Sequence, residues 1–186
     1  EAIARLKDLQ REYQPDSIVV LGDVVHRALP IAQLREEMEE FCAALKGECE
    51  LIFIEGNHDR SLGELLKAWR LSARFVSEHS VGPHLLVHGN VAKDQGRKLR
   101  KKLGPAGRII MGHEHPAVSV GDGVASWCKC PCFLISKDVV VLPAFSRWAA
   151  GTVFPHYPFM SELAQQARFD RAIAILAGKL LPMPFA

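Results

Sequence analysis

The sequence predicts a single α/β domain over residues 1–186, and three observations carry that prediction. Short β-branched apolar runs alternate with segments whose apolar residues recur at helical spacing, the pattern of a sheet covered by helices. From residue 117 onward, runs rich in Val, Ile, Phe and Cys instead follow one another between turn signals, as consecutive strands and hairpins do. Hydrophobic residues make up 48% of the chain, enough to build a core and too many for disorder.

The elements follow in order. Residues 1–13 place Ala2, Leu6, Leu9 and Tyr13 on one face of an amphipathic helix. Residues 17–25, SIVVLGDVV, form a near-continuous apolar run of the kind a buried parallel strand uses. A helix over 31–46 turns Leu34, Met38, Phe41, Cys42 and Leu45 inward and stops at Gly47. Strand 51–54 (LIFI) and a helix over 62–70 come next, then short strands at 85–87 (LLV) and 109–111 (IIM). Between those two strands lies a Lys/Arg-rich segment closed by Gly104 and Pro105. Period-2 spacing makes Cys128, Cys130 and Cys132 small buried hydrophobes of a strand rather than zinc ligands. Trp127, Phe145 and Trp148 read as core aromatics rather than stacking platforms for bases, and His79, His84 and His156 match no motif.

Composition narrows the function classes only a little. No apolar run is long enough to cross a bilayer, and the opening EAIARLKDLQREY is no leader peptide, so we expect a soluble, cytoplasmic chain without a membrane partner. Five cysteines, an odd number, fit reduced thiols inside a cell. The net charge of +2 selects no partner.

Four of the apolar runs end alike. They run into Gly22-Asp23, Gly56-Asn57-His58-Asp59, His88-Gly89-Asn90 and Gly112-His113-Glu114-His115. Ligands of open α/β sheets gather beyond the carboxyl ends of the strands, so if these strands are neighbours, Asp23, Asn57, His88, His113 and His115 converge. A carboxylate, an amide oxygen and three imidazoles form a mixed O/N donor set without thiolate, which suits Mn²⁺, Fe or Zn²⁺ better than Ca²⁺. A carboxylate such as Asp23 can also bridge two cations.

The ordered series GDVVH, GNHD, HG and GHEH, spanning residues 22–115, resembles the calcineurin-like metallophosphoesterase superfamily, whose motifs run DxH, GD, GNH[DE], H and GHxH. The resemblance implies a β-sandwich of two mixed sheets flanked by helices (αββα). It also implies phosphodiester hydrolysis at two divalent metal ions, Mn²⁺ in the first place, with Fe or Zn²⁺ as alternatives. By the same resemblance Asp23 bridges the ions, Asn57, His88 and His113 complete the second site, and His115 belongs to the first. His58 would touch the phosphate and assist the leaving group, with Asp59 orienting its ring. No Asp-x-His occurs anywhere in the chain, so the first site retains Asp23 and His115 alone. We expect a chain that lacks the N-terminal strand of the fold, the other reading being a protein that has lost one metal site.

His26, three residues after Asp23, makes a GDxxH arrangement similar to that of the SbcD-like DNA-repair nucleases, where this His helps position the phosphodiester. The stretches GHEHP, Cys132-Phe133 and LPAF resemble the bacterial ligase-associated DNA damage response phosphoesterases, the PdeM family. That implies DNA as substrate and ligase-associated repair proteins as partners. Arg97, Lys98, Arg100, Lys101 and Lys102 are either a clamp for the DNA backbone or a solvated basic face. Two other functions stay open: a phosphatase or nucleotide phosphodiesterase acting on small molecules, and a non-catalytic domain that binds nucleic acid or a repair partner.

Overall fold

Helix and strand alternate through the first part of the chain: α1 (Ala2–Tyr13), β1 (Ser17–Val20), α2 (Ile31–Ala44), β2 (Glu50–Ile54), α3 (Leu62–Ala68) and β3 (Arg74–Val76). The computed structural model describes residues 2–25, 29–45, 47, 49–92, 94–121, 123–146, 149, 151–155 and 158–183. The chain divides into two compact units, Glu1–Glu78 and His79–Ala186.

In the first unit β1, β2 and β3 form a parallel sheet in that order, with Val19 opposite Ile52 and Phe53 opposite Phe75. Met38 from α2 and Leu45 just after it, Leu62 and Leu66 from α3, and Leu51 and Phe53 from β2 make its core. Burying each such side chain stabilises by about 1.5–3 kcal/mol. Helix α3 ends in a Schellman arrangement: Arg70 N–H donates to Lys67 O and Leu71 N–H to Leu66 O, with Arg70 left-handed at φ 55°.

Three expectations for this unit need correcting. The predicted inner face of α1 is largely outside: Ala2, Leu9 and Tyr13 are exposed, and of the four only Leu6 packs on the core. One narrow stripe suffices there, because Gln10 Nε2 reaches Leu45 O at 3.3 Å. The strand expected over 17–25 stops at Val20, since Gly22 (φ 83°) and Asp23 (φ 52°) turn the backbone out of the ladder. Helices α2 and α3 each end two residues short of the predicted bounds.

The second unit is built from β4 (Glu78–Val81), β5 (His84–Val87), α4 (Gln95–Arg100), β6 (Ile109–Met111), β7 (Pro116–Gly121), β8 (Trp127–Ser136), β9 (Val139–Val141), β10 (Thr152–Val153), α5 (Glu162–Gln165), β11 (Phe169–Leu176) and β12 (Lys179–Met183). Its strands run in the order β10-β7-β8-β9-β6-β5-β4, with β11 and β12 joined through β8. Strands β5, β6 and β9 are parallel, whereas β7, β9 and β11 all meet β8 antiparallel, so the sheet is mixed. The chain is thus mixed α/β with two sheets flanked by helices, the predicted class.

In β8 the even-numbered residues Cys130, Cys132, Leu134 and Ser136 point into the core, as the period-2 reading required, and only Cys128 of that set is exposed. The odd-numbered register faces out, which overturns the core assignment of Trp127. It is 73% exposed, and its ring lies so close over Gly121 that a Cβ there would come within 2.8 Å of ring carbons. Phe145 is 42% exposed and is no core residue either. Trp148 and His156 lie outside the described residues.

Candidate metal centre

Parallel pairing of β1 with β2 releases two loops side by side at the carboxyl ends of those strands. One carries Gly22-Asp23 and the other Gly56-Asn57-His58-Asp59. Their approach depends on Gly56, where any Cβ would overlap both the backbone N and the carboxylate of Asp23. His58 N–H donates to Asp23 Oδ1 at 3.1 Å, which fixes the carboxylate against the turn. Asn57 is half-buried, and the His58 side chain stands exposed on the turn.

Asp59 is 1% exposed. Its carboxylate accepts from Val25 N–H at 3.1 Å, Val24 N–H at 3.4 Å and Gly56 N–H at 3.1 Å. Hydrogen bonds to an ionised acceptor are the strong ones, so this side chain staples the Asp23 loop to the turn that presents Asn57 and His58. His26 lies outside the described residues.

In the second unit β5 and β6 are likewise parallel neighbours, with Val87 opposite Met111. That register sets His88 beside Gly112, whose N–H donates to His88 O at 3.0 Å. His88 is 3% exposed, and its Nε2 lies 3.1 Å from His113 Nδ1, with the two rings edge-on. Imidazole nitrogens so placed either share one proton or offer two lone pairs to a cation. Two imidazole N donors so placed suit a borderline divalent metal.

Asp23 (φ 52°), His113 (φ 65°) and His115 (φ 45°) all adopt the left-handed backbone that is uncommon for any residue but Gly. Each costs on the order of 1–3 kcal/mol and persists only where surrounding contacts enforce it. Gly89 helps to make room: a Cβ there would come within 2.5 Å of Met111 Cε and 3.2 Å of His113 Cβ.

One residue of this region escaped the sequence reading. Glu114, between the two histidines, is 4% exposed and accepts backbone N–H groups from Met160 at 2.9 Å and Ser161 at 2.7 Å. The signal was a carboxylate wedged between two candidate ligands, but its partners lie more than 40 positions away in sequence.

The basic run divides. Arg97, Lys98, Lys101 and Lys102 are exposed on and after α4. Arg100 is committed inside the unit: its Nε meets Asp138 Oδ2 at 2.7 Å, and it also donates to Gln166 Oε1 at 3.0 Å. Burial pushes the Asp138 carboxyl up, but the Arg100 hydrogen bond and charge, with the Ser136 hydroxyl, outweigh it and hold the group below its ordinary value. Of the other histidines, His84 uses Nδ1 to accept Arg108 N–H at 3.1 Å.

Comparison with known proteins adds two findings. The model of the calcineurin-like phosphoesterase family matches residues 1–117, which hold every one of these motifs. A solved structure, that of Pseudomonas putida nuclease MPE, is similar at 25% sequence identity and a TM-score of 0.65, over 98% of this chain and 77% of that one. No curated protein matches the chain.

Proposed function

Because the chain belongs to the calcineurin-like phosphoesterase family, and so to the metal-dependent phosphoester hydrolases, we propose that it is a phosphodiesterase of DNA, a nuclease. The observation that carries the proposal is the ordered motif series inside the matched segment. The likeness to a nuclease favours nucleic acid over small phosphoesters. By the motif resemblance Asp23, Asn57, His88 and His113 would hold one divalent cation, Mn²⁺ by preference, and Asp23 with His115 would contribute to a second. Bound, the cations lower the pKa of water and neutralise charge building on the phosphoryl oxygens.

The chain's own residues do the rest. His58, exposed on a turn anchored through its N–H to Asp23, donates a hydrogen bond or proton to the departing oxygen. Asp59 holds that turn against the Asp23 loop and so sets where the His58 ring stands. His26 of the GDxxH motif helps seat the phosphodiester. Arg97, Lys98, Lys101 and Lys102 contact the phosphates of the strand, whereas Arg100 serves the fold. A place in DNA repair beside a ligase rests on the similarity of the GHEHP, Cys132-Phe133 and LPAF stretches.

The test is His58→Ala, assayed on single-stranded DNA, bis-p-nitrophenyl phosphate and mononucleotides with Mn²⁺. We expect cleavage of the first two, a fall in kcat of roughly 10²–10⁴ in the variant, and unchanged Mn²⁺ binding. Turnover confined to monoesters, or untouched by the substitution, would defeat the reading.

A further inference from the structure

The structure assigns Glu114 as a positioning residue that holds the His113–His115 loop in its ligand-presenting shape, an inference that rests on the proposed function. His113 and His115 both carry left-handed φ values, and the residue between them must supply part of what enforces them. The loop is pinned at three places. Gly112 N–H donates to His88 O at 3.0 Å, and Thr152 N–H donates to His115 O at 2.8 Å. Between these anchors, both carboxylate oxygens of buried Glu114 accept backbone N–H groups, from Met160 and Ser161.

Among the described residues no cationic side chain meets this buried carboxylate, which is an expensive way to fill space, since an apolar residue would pack without desolvating a charge. Two acceptors aimed at two consecutive N–H groups do what no apolar side chain can. They fix the direction of the Cα–Cβ bond at position 114, and with it the backbone on either side. The amide isostere cannot replace it, because one of its two ends donates and would face an N–H.

The experiment is Glu114→Gln in the full chain, titrated with Mn²⁺ alone while the free ion is followed by electron paramagnetic resonance. Val139→Ala, a core truncation in β9 remote in sequence from the loop, serves as the comparison of stability. We expect Glu114→Gln to weaken Mn²⁺ binding by on the order of 10-fold or more, the scale seen when a partner orienting a ligand is removed. Val139→Ala should lower the melting temperature with Mn²⁺ affinity kept. Affinity within two-fold of the parent, or equal losses in both variants, overturns the inference. A parent chain that binds no Mn²⁺ brings down the proposed function and this inference together. Should Glu114→Gln give no cooperative melt, Glu114→Asp, whose shorter stem draws both acceptors back from the Met160 and Ser161 N–H groups, is judged by the same criteria.

Discussion

Asp59 and Glu114 are both buried carboxylates whose described partners are backbone N–H groups, and both neighbour candidate ligands in sequence. Asp59→Asn keeps the shape but turns one acceptor into a donor facing an N–H, so we expect a loss of about 1–3 kcal/mol, read from urea unfolding. A change under 0.5 kcal/mol would show the staple to be dispensable. Gly56→Ala should be worse, because its methyl would overlap Asp23 rather than merely unpair a group. That variant should lose cooperative unfolding or Mn²⁺ binding, and survival of both would contradict the close approach. Asp23, Asn57, His58, His88, His113 and His115 stood out in sequence as candidates because each sits in a short motif at the end of an apolar run. What Asp59 and Glu114 bind was not. Val24 and Val25 precede Asp59 by 35 and 34 positions, and no local pattern encodes such a pairing.

At the scale of elements, apolar runs recorded burial faithfully and backbone shape less so. Val24 and Val25 do pack against the first core, which is why they read as strand, yet they do so from the loop after Asp23. In α1 apolar spacing gave the helix, but the choice of buried face depended on contacts at the end of α2. Helix α4 shows that a run of like charges can hide two roles. The combined variant R97E/K98E/K101E/K102E should weaken binding to single-stranded DNA and flatten its salt dependence, each lost phosphate contact removing roughly 0.7 from the slope. Unchanged affinity and slope would leave a solvated face. Arg100 belongs to a different test. Asp138 is held below its ordinary value of 3.8, so its ion pair stabilises the unit above that pH and ceases to do so as pH falls through the lowered value. Asp138→Asn should therefore be less stable than the parent at pH 7, the gap closing as the pH falls below 3.8 in parallel urea titrations. A gap that widened in acid would reverse the sign.

For the whole molecule, the α/β class and the shift to consecutive strands after residue 117 could be read from patterning, whereas the order of strands could not. Alternation tells which side of β8 is buried, not that β8 changes neighbours along its length. The five thiols offer a check on that burial. Under native conditions Cys128 should react with Ellman's reagent first, while Cys132, whose thiol is pushed to about 12 by burial and then by Cys130, should react only on unfolding. Saturating Mn²⁺ should raise stability by about 2.7 kcal/mol at a hundredfold excess over its dissociation constant, and a melting temperature indifferent to the ion would argue against a native-state site. Strand β8 pairs with β7 near its start, while farther along Leu134 and Ile135 are paired on both flanks, to β11 and to β9. In a deuterium soak that stretch should surrender its protium last, long after the two-residue margin at Thr152 and Val153 has exchanged.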